Sequence, residues 1–416
     1  MKDKGWLIRN GFAQDWASLA FSGWRMLALF VFVAVVSASS DVGPEAVAGF
    51  DTVSNGAVDQ DTHDSDRDQF EEPVAAANGL GPLYNATACV DCHQNPVAGG
   101  SSQVSEMRAG HLEHGMFVNP EGGSSLIHDR ATDRLIQQRI PASEEIRALR
   151  MSTSILGLGF VEAVDDQTLL DLAKQQARRT EGRVHGQAIM VPVLEAPGVS
   201  RVGRFGWKDQ HASLLSFSAD ADINEKGVTN RFLADESTYF GRSVEAFNQD
   251  TTEPNDTEGD IDFYTSFMRA TKAPPRGAIT PEVRAGEVFF RKIGCEVCHA
   301  ATLQTAAAGT SLNGGTFVVP PALGGKTIHP FSDFLLHDVG TGDGIVQNGG
   351  QETRNKLRTP PLWGLRTKGR LLHDGSASDL TTAIRRHDGE ARSARESFRN
   401  LRRDDARSLL AFLNSL

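Results

Sequence analysis

The feature that most constrains this chain is a five-residue pattern that occurs twice, as Cys89-Val90-Asp91-Cys92-His93 and as Cys295-Glu296-Val297-Cys298-His299. Both copies read C-x-x-C-H, and together they use all four cysteines of the 416 residues. In this pattern two thiols form thioether bonds with the vinyl groups of a haem, and the adjacent histidine binds the iron. The sequence therefore predicts two covalently attached haem c groups, with His93 and His299 as iron ligands.

Two other uses of paired cysteines compete with this interpretation. Four thiols can hold zinc, but the pairs of a structural zinc site usually lie closer together in sequence than Cys92 and Cys295 do. A thioredoxin-like redox motif needs a neighbouring βαβ pattern and no histidine after the second cysteine. Only haem attachment explains a histidine after both pairs.

Charge and the N-terminal pattern indicate an exported protein. The net charge of −11 leaves no basic surface for nucleic acid. Basic residues precede a short apolar run from 26 to 38, which is typical of a secretory signal peptide over residues 1–38. The alternative is an uncleaved membrane anchor, although the run is short for a bilayer span. We expect a periplasmic protein, where haem attachment to c-type cytochromes takes place.

The segments around the two motifs predict a duplicated arrangement. Arg150 follows Cys89 by 61 residues, Arg358 follows Cys295 by 63, and each begins a related stretch. We expect a mainly α protein of two cytochrome c-like haem domains with long loops. Helices are predicted from Pro281 towards the second motif, with Val288, Phe289 and Ile293 on one face, and from Asp404 to Leu416. The predicted organisation is a signal peptide (1–38), an acidic extended leader (39–78), an N-terminal haem domain (79–200), an inter-domain segment (201–274) and a C-terminal haem domain (275–416).

Several segments resemble the di-haem oxidoreductases described as putative peroxidases, also called predicted thiol oxidoreductases. The segments that carry the resemblance are Gly79 to His93, Gly157 to Ala163, Gly203 to Lys208, Leu335 to Asp338, Arg358 to Leu365 and Leu372 to Gly375. More distantly, the chain is similar to the bacterial di-haem cytochrome c peroxidases, with which it shares His373-Asp374-Gly375 and a leucine at 380.

The resemblance implies further iron ligands. In the bacterial peroxidases the second haem takes a methionine fourteen residues after the shared histidine, and His387 occupies that position here. His387 is therefore the expected sixth ligand, with His373, His337 and His329 as alternatives. For the first haem the candidates are His111, His114 and His128, of which the resemblance favours His111 or His114. It also implies a calcium ion between the domains, for which the sequence identifies no ligands.

The same resemblance implies reduction of hydrogen peroxide at one haem, with electrons passed through the other. The partner would be a periplasmic electron donor, either a small cytochrome or a cupredoxin. Phe160-Val161-Glu162 stands where the peroxidases carry a tryptophan-aspartate-glycine element, so Glu162 is the predicted acid/base residue, with a pKa raised by desolvation. Trp207 or Trp363 could lie between the haems. Alternatives are an electron carrier without substrate chemistry and an oxidase of organic, sulfur or protein substrates.

Overall fold

A computed structural model describes residues 43–250 and 252–416. The predicted signal peptide lies outside these residues. None of the described helices combines the length and the apolar character needed to cross a membrane.

The described chain alternates short helices with short strands. The helices are α1 (Gln60–Glu71), α2 (Leu158–Glu162), α3 (Asp166–Arg179), α4 (Leu214–Ala221), α5 (Asp260–Ala270), α6 (Pro281–Lys292), α7 (Leu380–Arg386), α8 (Arg392–Arg399) and α9 (Arg403–Leu413). The strands are β1 (Leu83–Tyr84), β2 (Ser105–Glu113), β3 (Met116–Val118), β4 (Leu126–Ile127), β5 (Arg130–Ala131), β6 (Ile146–Met151), β7 (Met190–Pro192), β8 (Ser200–Val202), β9 (Leu303–Gln304), β10 (Ser311–Leu312), β11 (Phe317–Val318), β12 (Thr327–Ile328), β13 (Leu336–His337) and β14 (Leu357–Arg358).

The prediction of a mainly α fold was wrong. The chain is 32% helical and 16% strand. The structure does not show the predicted duplication of a haem domain. The largest sheet has β2 at its centre, antiparallel to β3, β4 and β6. Its alternating residues include charged side chains, so the pattern did not resemble a strand with one apolar face.

Helices surround the second motif as predicted. Thr280 caps α6 and Pro281 opens it, which suits a helix start because proline lacks a donor that would be unsatisfied there. α6 packs against α9, and Gly286 is needed at the crossing because a Cβ there would clash with the carbonyl of Ser408. The predicted apolar face was partly wrong, since Phe290 and Ile293 are buried while Val288 is exposed.

The main hydrophobic core contains residues from several of the predicted segments. Its main cluster joins Phe70 from the leader, Phe160 from the first predicted domain, Phe267 from the inter-domain segment and Phe334 from the last domain. The leader is not wholly extended, because Asp59 caps α1 and Phe70 packs on Phe267 with 4.8 Å between ring centroids. These contacts bring residues from distant parts of the chain around the first motif, whereas the second motif packs against a separate cluster from residues 283–416.

Candidate active site: two cavities that meet at a tryptophan

Each C-x-x-C-H motif lines its own cavity. Cys89, Cys92 and His93 line a first cavity of about 790 Å³, and the second motif lines a second cavity of about 480 Å³. Both volumes are of the size that holds a bound organic molecule. Since the cysteine pairs lie in different cavities, they do not form a joint four-cysteine zinc site. Burial raises the pKa of Cys89 to about 11 and that of Cys295 to about 12, so both groups are neutral thiols in this state.

In the second cavity, two histidines present the geometry of iron ligands. His299 donates from Nδ1 to the carbonyl of Phe331 at 2.9 Å, and His387 donates from Nδ1 to that of Ala383 at 2.8 Å. Such bonds orient an imidazole and leave Nε2 free to bind a metal. Burial lowers the pKa of both histidines, that of His299 to about 4.

The other histidines predicted for the second haem are placed differently. Both nitrogens of His337 are engaged, Nε2 with Asp333 at 2.9 Å and Nδ1 with Glu390 at 2.8 Å. His329 is 41% exposed and does not line the cavity. His373 lines it and packs against Trp207, with 6.1 Å between ring centroids. His387 therefore has the best geometry among the predicted sixth ligands.

The first cavity contains a different histidine from the two that the resemblance favoured. His111 lies outside the cavity on β2, where Nδ1 bonds Glu144 at 2.9 Å, and His114 lies in the exposed turn after β2. His128 lines the cavity, is buried, and has no partner at Nε2. Of the three histidines that the sequence offered for the first haem, only His128 therefore lines the first cavity.

A buried charged cluster in the first cavity was not predicted. Arg108 donates from Nε and Nη2 to the two oxygens of Glu106, at 2.8 and 3.0 Å, and Arg150 faces Glu106 from β6. Glu225 accepts from Asn85 at 2.8 Å and lies close enough to Glu106 for the two carboxyl groups to affect each other's pKa. Glu225 lies in a π-helical turn over Asp222–Lys226 that continues α4. Turns of this kind are frequent at functional sites.

The two carboxyl groups of this cluster have opposite pKa shifts. Burial, followed by the negative charge of Glu106, raises the pKa of Glu225 to about 8. Burial also favours protonation of Glu106, but the charge of Arg108 outweighs it and lowers the pKa of Glu106. At neutral pH the pair therefore holds a proton on Glu225 and a negative charge on Glu106, which is the division expected of an acid/base pair.

Glu162, the predicted acid/base residue, lies outside both cavities. It is fully buried and accepts two hydrogen bonds from Arg269, at 2.7 and 2.9 Å, and one each from Leu214 and Asn313 at 2.9 Å. Burial alone would raise the pKa of Glu162, but Arg269 reverses the effect and the pKa is lowered. The prediction of a raised pKa was wrong, because Glu162 is the buried partner of an ion pair with Arg269.

Trp207 borders both cavities, whereas Trp363 borders neither. The indole Nε1 of Trp207 donates to the carbonyl of Met151 at 2.8 Å. Trp363 is buried in the main core, next to Gly157. Of the two tryptophans considered from sequence, only Trp207 therefore lies where the two cavities meet.

A buried ion cluster fixes Trp207 from both sides. Asp343 bonds Arg150, which precedes Met151, at 2.8 Å, and Lys208, which follows Trp207, at 3.0 Å. Lys208 also donates to three backbone carbonyls between residues 353 and 356, at 2.7 to 3.2 Å. Asp343 therefore binds both Arg150, the residue before the carbonyl that accepts from Trp207, and Lys208, the residue after Trp207.

The residues present fit two haem groups. Each cavity offers two thiols and an adjacent histidine, and His387 offers a further free nitrogen in the second cavity. Burial, with a smaller effect of Arg358, lowers the pKa of Lys368 to about 8 in the second cavity. Lys368 has no carboxylate within 4.0 Å among the described residues, so an anionic group such as a haem carboxylate would complete its surroundings.

Comparison with known proteins identifies a family that matches this chain. The model of the family described as "Di-haem oxidoreductase, putative peroxidase" matches residues 126–416. No curated protein matches the chain. Among solved structures, a MauG-like protein associated with microbial copper homeostasis is 15% identical with a TM-score of 0.42, covering 90% of this chain and 93% of that chain. The diheme peroxidase BthA from Burkholderia thailandensis is 14% identical with a TM-score of 0.33, covering 90% and 94%. Hydrazine synthase from Kuenenia stuttgartiensis is 14% identical with a TM-score of 0.38, covering 98% and 100%.

Proposed function

Because the chain belongs to the di-haem oxidoreductase, putative peroxidase family, we propose that it reduces hydrogen peroxide in the first cavity with electrons delivered through the second. The family implies two haem cofactors. We further propose that both are attached by thioether bonds to the four cysteines and that the protein works in the periplasm. The observation that carries the proposal is the charged Glu106–Glu225 pair in the first cavity, beside the first attachment motif.

The chain's own residues would supply the protons for this reaction. Hydrogen peroxide takes up two electrons and two protons to give two molecules of water. A bound haem supplies the iron that binds peroxide and passes the electrons. The carboxyl group of Glu225 can donate a proton to the leaving oxygen, and the carboxylate of Glu106 can accept the proton of the other oxygen. Arg108 keeps Glu106 ionised and can hydrogen-bond a developing negative charge.

The second cavity suits electron transfer instead. His299 and His387 would hold an iron from two sides, and an iron with two strong protein ligands has no open position for peroxide. Trp207 provides the aromatic group between the cavities, and Asp343 limits its movement through Arg150 and Lys208. The first cavity would thus reduce peroxide, and the second would transfer electrons. The electron donor would be an exported redox protein.

The test is to mix the half-reduced holoprotein with hydrogen peroxide in a stopped-flow instrument. We expect peroxide to be consumed with two electrons withdrawn per molecule, and carbon monoxide to bind only one of the two reduced haems. Two haems that are present but neither consume peroxide nor bind carbon monoxide would overturn the proposal in favour of a simple electron carrier.

A further inference from the structure

The distribution of charge along the chain is strongly uneven. Residues 351–416 contain fourteen Lys and Arg against eight Asp and Glu, whereas the whole chain has a net charge of −11. The preceding 350 residues therefore carry seventeen more acidic than basic groups. The basic segment includes α7 and α8, which line one side of the second cavity. A positive region on an acidic protein can attract a partner of opposite charge.

The second cavity brings cations from other parts of the chain next to this basic segment. Arg183, Lys292 and Arg370 line the cavity and are exposed to solvent. Within the described ranges, none of the three has a carboxylate within 4.0 Å. Their charges are therefore not neutralised by the protein itself.

Three arginines in or next to α8 and α9 that do not line the cavity are paired within the chain. Arg399 lies 3.4 Å from Glu396, Arg402 lies 2.8 Å from Asp405, and Arg407 lies 2.9 Å from Asp404. Their charges are therefore matched by neighbouring carboxylates, unlike those of the three cations that line the cavity.

An apolar side chain adjoins these cations. Val288 is 57% exposed and lies one helical turn before Lys292 on α6, so the two share a face. Transient protein interfaces combine a small apolar centre with a charged rim. Here Val288 would supply the apolar part of such an interface, and the three cations would supply the charged part.

We propose that Arg183, Lys292 and Arg370 of the second cavity, with Val288 beside Lys292, form the docking surface for an acidic, single-electron donor protein. This inference rests on the proposed role of the second cavity in electron entry. The unpaired cations would attract the donor, and Val288 would contact its apolar edge. Arg358 and Lys368 lie deeper in the cavity and are left to hold the haem carboxylates.

The experiment compares two triple variants of the holoprotein that lose the same charge. Arg183→Gln/Lys292→Gln/Arg370→Gln removes the unpaired cations, and Arg399→Gln/Arg402→Gln/Arg407→Gln removes three paired ones. The measurement is the second-order rate constant for reduction of the second haem by an acidic cupredoxin and by a basic cytochrome c, at low and at physiological ionic strength.

With the acidic donor at low ionic strength, we expect the first variant to react about tenfold more slowly than the wild type and the control to change by less than about twofold. Added salt should reduce this difference. Equal losses in both variants, or faster reduction by the basic donor, would overturn the proposal. Binding of anionic lipid vesicles that only the first variant loses, with donor rates unchanged, would assign the surface to a membrane instead.

Failure of the peroxidase proposal would be distinguishable. Reduction by dithionite needs no docking, so peroxide consumption after dithionite reduction tests the first cavity alone. A protein that prefers the acidic donor but consumes no peroxide would keep this docking surface and lose the proposed reaction.

Discussion

The two cavities share an attachment motif and a neighbouring tryptophan, yet their linings differ in kind. The first contains five acidic and five basic side chains, which allows carboxyl groups to hold and accept protons. The second contains six basic side chains and one acidic, Glu390, which is already bonded to His337. An attachment motif fixes where a haem binds, and the surrounding side chains decide what the haem can do there.

The local elements around the motifs are related, but their supports are not. Each motif forms a 3₁₀ turn, and Arg150 and Arg358 are both buried at the end of a strand. The first cavity is supported by the sheet around β2 and the π-helical turn, and the second by α6 to α9. The sheet places charged side chains of both signs at the first cavity, whereas the helices place mainly apolar side chains and the cations Lys292 and Arg395 at the second. This difference underlies the proposed division of labour.

The strongest test of this comparison removes one haem at a time. Cys89→Ala/Cys92→Ala should lack the first haem and lose peroxide turnover completely. Cys295→Ala/Cys298→Ala should lack the second haem and lose reduction by a protein donor. Mass spectrometry and the haem absorbance of the exported proteins report the loss. A variant that keeps two covalent haems would contradict the assignment of the cysteines.

Replacing Glu225 should have the next largest effect. Glu225→Gln removes the transferable proton, and we expect kcat/KM for peroxide to fall by roughly 10²- to 10⁴-fold. Because the pKa of Glu225 is about 8 and its protonated form donates, wild-type activity should fall as the pH rises through about 8. That decline should be absent in the variant.

Glu236 provides a matched control for this prediction. Burial raises its pKa to about 7, but Glu236 lies outside the first cavity and accepts from Asn248. Glu236→Gln should leave kcat/KM and the decline near pH 8 unchanged. An equal loss in both variants would show that Glu225 has no special role.

The sequence was informative where the signal was local. The attachment residues follow from the motif alone, and α6 was predicted from Pro281 and the apolar pattern that follows. The resemblance to the bacterial di-haem peroxidases suggested His387, fourteen residues after His373. Each of these inferences depends on residues close together in the chain.

The sequence did not predict the parts of the site that depend on contacts between residues far apart in the chain. Glu106 and Arg108 alternate on β2, and this i, i+2 spacing could have placed them on one face. Nothing local, however, shows that Glu225 reaches them from a π-helical turn more than 100 residues away. Glu162 was predicted as an acid/base residue because nothing local shows its ion-pair partner. That partner, Arg269, also lies more than 100 residues away in sequence.

Glu162 should therefore matter for stability and little for chemistry. Glu162→Gln leaves the Arg269 charge without its partner, and we expect a loss of about 3–5 kcal/mol in the free energy of unfolding. Glu287→Gln, which breaks the exposed pair with Arg291, should cost less than about 1 kcal/mol. Denaturant titration measures both. A large loss of turnover per haem-loaded molecule, with stability unchanged, would return Glu162 to the reaction.

Replacing His387 should have the smallest effect on turnover and a clear effect on the spectrum. His387→Ala keeps the second haem attached through Cys295 and Cys298 but removes a strong ligand, so the absorbance should shift from low spin towards high spin. The reduction potential should change because axial ligands set it. His329→Ala is the control, since His329 lies near the second motif but outside the cavity. If His387→Ala leaves the spectrum unchanged, the iron takes its sixth ligand from elsewhere. His373 is then the next candidate, because it lines the second cavity and its buried Nδ1 has no partner among the described residues.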